Sequence, residues 1–350
     1  MSDPIPSHPA DPSFKPNRRA VLRGAAAAGV ALPLGAIAAS TFAGAQPIAG
    51  KLTRITFATN SVAPCLSPVY LAKEKGLYEK YGLDVDLIDF GGPTENLLEA
   101  LATGKADGGV GMALRWLKAL EAGFDVKITA GSHGGCTRLV ALEKGNVRSL
   151  ADLKGKTIGI TDLNSPGKHF FSILFNKEGI DPVKDVEWRQ YPIAALPIAA
   201  EKGEVHAVAD GDPNAYLWLQ RGGWVQIASN LDHGFDERVC CIVGVRGSLI
   251  RNDPKIAGAL NRAILEAHDW TVAKPQDAAQ SFAKFAPKNV TADDIVGMLN
   301  GQTHNHRPVG ADLKKELALY AGELRAIQVF KQSTDPTVFA DKVYADVFAV

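Results

Sequence analysis

A repeated strand–loop–helix pattern is the feature that most constrains how this chain of 350 residues can fold. Its clearest copy covers residues 155–179, where the alternation Thr157-Ile158-Gly159-Ile160 is broken by Asp162-Leu163-Asn164. Ser165-Pro166 then opens an amphipathic run, and Ser at an N-cap followed by Pro is a strong helix-start signal. Such a loop leaves free backbone N–H groups beside a helix start, which suits a small polar or anionic ligand.

The same pattern recurs along the chain. Residues 54–59, 85–90, 107–111 and 206–209 are typical of strands, and each is followed by a loop and a helical run. Strands that alternate with helices predict the α/β class, with parallel sheets covered on both faces. At roughly 150 residues per domain, the length predicts two doubly wound lobes.

Two extended runs flank the second α/β segment, at 137–142 and 239–246. We interpret them as two crossover strands that form a hinge between the lobes. The predicted organisation is therefore a signal peptide at 1–45, lobe I at 46–140 and 245–350, and lobe II at 141–244 with the hinge strands at its ends. The helices predicted to start at Asp253-Pro254, Pro275 and Thr291 are expected to pack on lobe I.

The first 45 residues are typical of an export signal. Arg18-Arg19-Ala20-Val21-Leu22-Arg23 precedes an apolar run at 24–39, and Ala43-Gly44-Ala45 fits the small-residue cleavage pattern. The segment resembles a twin-arginine signal, with Val21 where Phe is usual. A membrane anchor is the alternative, but an apolar run of about 16 residues is short for a span. The sequence thus predicts a periplasmic protein cleaved near Ala45.

Charge and motifs exclude several function classes. The formal net charge of +0 provides no electrostatic case for binding nucleic acid or an acidic membrane surface. The sequence has no Gly-x-Ser-x-Gly elbow, P-loop or His-Glu-x-x-His helix. We therefore predict no catalytic residues, no cofactor and no enzymatic activity.

The four cysteines leave alternatives open. A bond between the adjacent Cys240 and Cys241 would be strained, whereas Cys136 could pair with either in an oxidising compartment. Buried free thiols are the favoured state. A metal site from Cys65, Cys136, Cys240 and His133 matches no standard spacing. His304 and His306 are a further possible metal pair, with a solvated loop as the default, so no metal site is predicted.

Three long segments carry a family resemblance. Residues 67–111 (SPVYLAKEKGLYEKYGLDVDLIDFGGPTENLLEALATGKADGGVG), 149–160 (SLADLKGKTIGI) and 253–270 (DPKIAGALNRAILEAHDW) resemble ABC-transporter solute-binding proteins of the nitrate/sulfonate/taurine type. The resemblance implies a monomer whose two α/β lobes close on a small polar solute in the periplasm, one like nitrate, a sulfonate or taurine, or a related organic anion. It also implies delivery to an ABC permease of the inner membrane and its ATPase. The rival readings are an enzyme similar to the pyrimidine-precursor synthases of thiamine biosynthesis, and a periplasmic sensor or metal carrier.

By position, the resemblance implies a set of ligand contacts in the loops after the strands. They are Asn60, Ser61, Gly92, Thr94, Gly111, Met112, His133, Asn164, Ser165, Gly167, Asp210 and Asp212. Each could instead cap a helix or form a turn, and Asp212 before Pro213 is a candidate N-cap.

The charge of the ligand stays open from the sequence. Asp210 and Asp212 favour an amine-bearing or neutral ligand over an anion. Arg115 and Arg138 could supply positive charge to an anion, but we expect both in surface salt bridges. Many relatives carry an aromatic–acid–Pro run where this chain has Gly211-Asp212-Pro213, so one aromatic wall is missing.

Overall fold

The structure, a computed structural model, describes residues 51–349. The predicted signal segment and its cleavage site lie outside the described residues. The strands are β1 Thr53–Thr59, β2 Leu83–Asp89, β3 Gly108–Met112, β4 Val126–His133, β5 Thr137–Leu142, β6 Lys156–Ile160, β7 Val186–Gln190, β8 Ala207–Gly211, β9 Trp224–Ser229 and β10 Cys241–Arg246.

Helices follow most of these strands. The helices are α1 Ser67–Glu74, α2 Leu77–Lys80, α3 Glu95–Ala102, α4 Ala113–Glu121, α5 Pro166–Lys177, α6 Leu196–Glu201, α7 Asn214–Gln220, α8 Gly247–Asn252, α9 Pro254–Ala273, α10 Pro275–Ala283, α11 Ala292–Asn300, α12 Gly310–Ala326 and α13 Pro336–Val343. Within the described part of the chain, no helix combines the length and apolar character needed to span a bilayer.

The strands form two five-stranded sheets, with orders β2-β1-β3-β10-β4 and β7-β6-β8-β5-β9. This confirms the predicted α/β class with two lobes. The predicted parallel pairing holds for β1 with β2 and β3 and for β6 with β7 and β8. It does not extend to the whole of each sheet, because β10 is antiparallel to β3 and β4, and β5 is antiparallel to β8 and β9. Strands β5 and β10 each enter their sheet directly from the other lobe, without the crossover helix that a parallel neighbour requires.

The chain passes between the sheets twice, at 134–136 and at 230–240. Both predicted extended runs are strands, but β5 belongs to the second sheet and β10 to the first. The predicted lobe boundaries at 140 and 245 fall about one strand away from these crossings. That the crossings act as a hinge between the lobes stays a prediction. The first crossing is tight. Gly135 has φ +94°, and a Cβ there would lie 2.8 Å from the carbonyl oxygen of Gly301, so only glycine fits.

Local capping explains why the helices begin where the sequence predicts. Ser165 Oγ accepts a hydrogen bond from the Lys168 amide, and the Asp253 carboxylate accepts one from Ile256. Thr291 and Asp294 form a reciprocal capping box. These contacts satisfy amide groups that a helix start leaves unpaired, so the predicted starts of α5, α9 and α11 are confirmed.

The C-terminal helices cover both lobes. Helices α9 and α10 pack on α1, as predicted for lobe I, and bury Leu260 and Phe282. Helix α12 also contacts α5 of the second lobe, and the Tyr320 hydroxyl donates to the Val239 carbonyl at 2.8 Å within the second crossing. The predicted packing on lobe I alone is therefore incomplete, because α12 bridges the two lobes.

Candidate ligand-binding cleft

A cavity of about 590 Å³ lies between the two lobes. The first lobe contributes loops that follow β1 and β2, with the end of β3, and the second contributes loops that follow β6, β7 and β8. Residues 287–290, between α10 and α11, form part of the wall. The cleft thus occurs where the carboxyl ends of strands face each other, which is where α/β sheets bind ligands.

A second depression of about 530 Å³ borders β6 and β7 near Gly155, Asp185 and Trp188. Gly155 precedes β6 and Asp185 precedes β7, so this depression lies near the amino ends of those strands. Of the loops that follow strands, only the one after β6 reaches it, through Leu163, and no strand-end loop of the first lobe does. We therefore take the cleft between the lobes as the candidate site.

Eight of the residues predicted as ligand contacts line the cleft. They are Asn60, Gly92, Thr94, Met112, Ser165, Gly167, Asp210 and Asp212. Their common property is their position at or just after the carboxyl end of a strand, or at a helix start, which the sequence pattern encodes directly.

The other four predicted contacts do not line the cleft. Ser61 and Asn164 are in rim turns, where their amides donate to Asp89 and Asp162. Gly111 is buried in β3, and a Cβ there would lie 2.1 Å from the Trp116 ring. His133 is fully buried at the end of β4. Their proposed contact with a ligand receives no support from this placement.

On the first-lobe side, Asn60 fixes two loops to each other. Its side-chain nitrogen donates to the Gly92 carbonyl, and its oxygen accepts from the Val62 amide at 2.9 Å. Nearby, Thr94 Oγ1 is buried and has no hydrogen-bond partner among the described residues. An unpaired buried hydroxyl is uncommon, and this one belongs to a residue of the cleft wall.

Arg115 connects the two lobes across one end of the cleft. Its guanidinium, 6% exposed, donates to both Asp162 carboxylate oxygens at 2.8 and 3.3 Å and to Glu95 at 3.4 Å. The expected surface salt bridge instead joins the buried Arg115 of α4 to the half-buried Asp162 in the loop after β6. Beside it, the His169 ring donates to the Leu114 carbonyl at 3.0 Å. Burial lowers the pKa of His169 to about 4, so this ring is neutral at pH 7.

Arg138 and Asp212 form a second buried pair, within the second lobe. Arg138 donates to Asp212 Oδ1 at 2.9 Å and to Oδ2 at 3.2 Å, and the side chains are 14% and 1% exposed. The N-cap alternative for Asp212 is wrong, because no side chain caps α7. Burial raises the pKa of Asp212, while Arg138 opposes the shift. The Asp212 charge is thus already compensated.

Asp210 differs from the other carboxylates of the cleft wall. Among the three in the described lining, it alone has no salt bridge, and it accepts a hydrogen bond from Asn214 at 3.1 Å. Burial raises the pKa of Asp210 to about 7. Near neutral pH this group is therefore an acceptor with partial negative charge, ready to bind an N–H donor.

Sequence reasoning missed several parts of the wall. Tyr191 follows β7, a strand that the pattern search did not identify, and its hydroxyl donates to Glu204 at 2.9 Å. Its ring offers an aromatic surface in a chain that lacks the aromatic residue at Gly211. Asn289 comes from the segment between α10 and α11. The Gln190-Tyr191-Pro192 turn after an alternating run was the signal that could have found Tyr191.

Cysteines and histidines cluster beside the base of the cleft. All four cysteines are free, and Cys136, Cys240 and Cys241 are buried, which is the state favoured from the sequence. A cavity of about 50 Å³ touches Cys65 and Cys136 and shares Thr94, Met112 and Asp212 with the cleft wall.

The histidine pair proposed at 304 and 306 is not a joint site. His304 packs against His133 and His268, whereas His306 contacts Glu316 at 2.8 Å.

Comparison with known proteins identifies the family. The NMT1/THI5-like family matches residues 63–278, more than half of the chain. A binding protein of Brucella abortus is 29% identical over 218 residues, or 61% of this chain, and the match spans 66% of that protein's length. A 4-amino-5-hydroxymethyl-2-methylpyrimidine phosphate synthase of Schizosaccharomyces pombe is 30% identical over 132 residues, 37% of each chain.

Solved structures share the fold. The periplasmic aliphatic sulphonate binding protein SsuA from Escherichia coli matches with a TM-score of 0.69 at 18% identity, over 85% of this chain and 93% of that one. The periplasmic nitrate-binding protein NrtA from Synechocystis PCC 6803 matches with a TM-score of 0.67 at 18% identity, over 84% and 86%. The family match and the shared two-lobe fold agree with the resemblance seen in the sequence. This chain belongs to the NMT1/THI5-like family.

Proposed function

We propose that this protein is the periplasmic solute-binding component of an ABC importer. The observation that carries the proposal is the cleft of about 590 Å³, walled by strand-end loops of both lobes. A cavity of this size suits a small molecule and lies where closure of the lobes would enclose it. The sulphonate-binding and nitrate-binding structures of the same fold support a transport role.

We further propose a neutral or amine-bearing organic solute. Arg115, the cleft arginine, is already paired with Asp162, so little positive charge remains for an anion. Asp210 offers an acceptor without a basic partner. Apolar side chains of the wall, including Met112 and Ile193, would cover a carbon skeleton. A bare inorganic anion such as nitrate matches this surface less well.

Affinity would depend on closure of the lobes. A helix terminus contributes only about 0.3–1 kcal/mol to holding a charge, whereas micromolar affinity needs roughly 8 kcal/mol. Buried area and direct hydrogen bonds from both lobes must supply the difference. The solute would shift an open–closed equilibrium, and the closed monomer would dock on an inner-membrane permease served by an ATPase. Export through the twin-arginine pathway would place the protein there.

The test is a thermal-shift screen of the protein from Gln46 onward, followed by calorimetry. The compounds should include matched neutral, amine-bearing and anionic solutes. We expect stabilisation by neutral or amine-bearing compounds, and we expect Asp210→Asn to weaken their binding at least tenfold, about 1.4 kcal/mol. Ser61→Ala, on the rim, is the matched control and should bind normally. Hits confined to inorganic anions would contradict the proposed solute class.

Similarity to the pyrimidine phosphate synthases makes an enzyme the second candidate. We propose binding without catalysis, because Asp162 and Asp212 of the described cleft are held in ion pairs and Asp210 accepts a hydrogen bond from Asn214. Each solute that binds should be recovered unchanged after long incubation, as judged by mass spectrometry. Conversion of a bound solute to a product would favour the enzyme.

A further inference from the structure

Three groups beside the base of the cleft have the spacing of metal ligands. Cys65 precedes α1, His133 ends β4 and Cys241 begins β10, and their thiols and one ring nitrogen lie within 4.8 Å of one another. The Cys65 and Cys241 sulfurs are 3.9 Å apart. Two thiolates at 2.3 Å from a tetrahedral Zn²⁺ would be about 3.8 Å apart. The side chains therefore already have the separation that such an ion imposes.

The hydrogen bonding of His133 leaves one nitrogen available. Its Nδ1 is 3.0 Å from the Gly134 carbonyl, which can only accept, so Nδ1 carries a proton and donates it. The other nitrogen, Nε2, is buried and has no partner among the described residues. Metal-binding histidines commonly donate one N–H to a backbone carbonyl in this way, which fixes the ring and frees the second nitrogen.

The Cys241 thiol lies in direct contact with the Cys65 thiol, so the two sulfurs proposed as ligands already adjoin. Binding of a metal ion to both would release their thiol protons.

We propose that Cys65, His133 and Cys241 bind one thiophilic d¹⁰ ion, Zn²⁺ or Cu⁺. Two thiolates and an imidazole suit either ion, and three protein ligands leave a coordination position open. Cys65 also lines the cavity of about 50 Å³ that shares Met112 and Asp212 with the cleft wall. The open position would therefore be accessible from the solute cleft. This site goes beyond the proposed transport function and does not depend on it.

A second group of thiols, Cys136, Cys240 and Cys241, also has its sulfurs within 4.8 Å of one another, but it suits a single ion less well. Cys136 and Cys240 have sulfurs 3.0 Å apart, which is shorter than the edge of a metal–thiolate tetrahedron. The standard sequence spacings could not reveal the site, because its ligands come from three separate segments of the first lobe. Because Cys136 is a neighbouring thiol outside the proposed ligand set, it provides a matched control for Cys65.

The test uses the reduced protein from Gln46 onward, purified without an affinity tag and stripped with a chelator. Co²⁺ replaces Zn²⁺ as a spectroscopic probe, and Cu⁺ is titrated against a chromophoric chelator in a parallel arm. We expect one Co²⁺ per chain, with thiolate-to-cobalt charge-transfer absorption that Zn²⁺ abolishes if zinc is the preferred ion. A preference for copper would appear as tight Cu⁺ binding with weak Co²⁺ binding.

Two variants make the result specific. Cys65→Ser, at a half-buried position, should weaken binding at least roughly tenfold and reduce the charge-transfer band. Cys136→Ser should change neither, and circular dichroism checks that both variants fold. Absence of saturable binding of Co²⁺, Zn²⁺ and Cu⁺ by the reduced protein would overturn the proposal. Loss of metal binding in Cys136→Ser but not in Cys65→Ser would also overturn it. Solute binding by the metal-stripped protein tests the transport function separately.

Discussion

Two arginine–aspartate pairs border the cleft, and they differ in what they join. Arg138 and Asp212 both belong to the second lobe, and their side chains are 14% and 1% exposed. Arg115 belongs to the first lobe and Asp162 to the second, and Asp162 is 34% exposed. The first pair cannot separate without stranding a charge in the interior. The second can separate into water when the lobes part, so it suits a reversible contact.

The largest expected effect on stability comes from breaking the pair within one lobe. Arg138→Ala leaves the Asp212 carboxylate buried without its partner, and we expect the free energy of unfolding to fall by about 3–5 kcal/mol. Denaturation by urea measures this loss. Replacing both residues, as Arg138→Met with Asp212→Leu, should recover most of it, because no buried charge then remains. A loss below about 1 kcal/mol for Arg138→Ala would mean that water reaches Asp212 readily.

A smaller effect on the free energy of unfolding, opposite in sign, is expected when the charge of Asp210 is removed. Because its pKa of about 7 in the folded protein exceeds the ordinary 3.8, ionising this group costs stability. The cost is absent at low pH, develops as the pH rises from about 4 to 7, and is complete above 7. We expect Asp210→Asn to stabilise the protein at pH 8 by on the order of 2 kcal/mol, allowing for partial exposure.

The check on Asp210 is a set of unfolding curves from pH 4 to pH 8 for both proteins. The stability difference between Asp210→Asn and the parent should grow with pH and level off above 7. A difference that does not depend on pH would show that the Asp210 carboxyl titrates normally.

The smallest effect on stability is expected for the pair between lobes. Asp162→Asn removes the charge but keeps an oxygen that can accept from the Asn164 amide. We expect a change in unfolding free energy of about 1 kcal/mol or less, with a larger radius of gyration in solute-free solution. Asp181→Asn is the matched control, since Asp181 caps a similar turn and pairs with Lys184 of the same lobe. If both variants scatter alike, the Arg115–Asp162 contact does not hold the lobes together.

Local signals in the sequence predicted much of the fold. Ser165, Asp253 and Thr291 mark helix starts through contacts with amides three residues away, so short-range chemistry reveals them. The antiparallel placement of β5 and β10 depends on how the chain passes between two sheets, which no local pattern encodes. The sequence did indicate Asp210 as a cleft candidate, because the local strand pattern places it at the carboxyl end of β8.

Contacts between distant segments could not be predicted. Arg115 meets Asp162 only because α4 of one lobe lies against a loop of the other. Cys65 and Cys241 are separated by 176 positions, and their approach depends on the packing of the whole first lobe. No spacing in the sequence indicates either contact, because the two residues of each pair come together only in the folded protein.

Small-angle X-ray scattering with and without solute tests the central claim most directly. The protein from Gln46 onward would be measured alone and with the strongest stabiliser from the thermal-shift screen, and the solute would be recovered afterwards. We predict a smaller radius of gyration on binding, with the solute recovered unchanged. An unchanged profile at saturation, or a chemically altered solute, would contradict the account of two lobes that close on a small molecule without reacting with it.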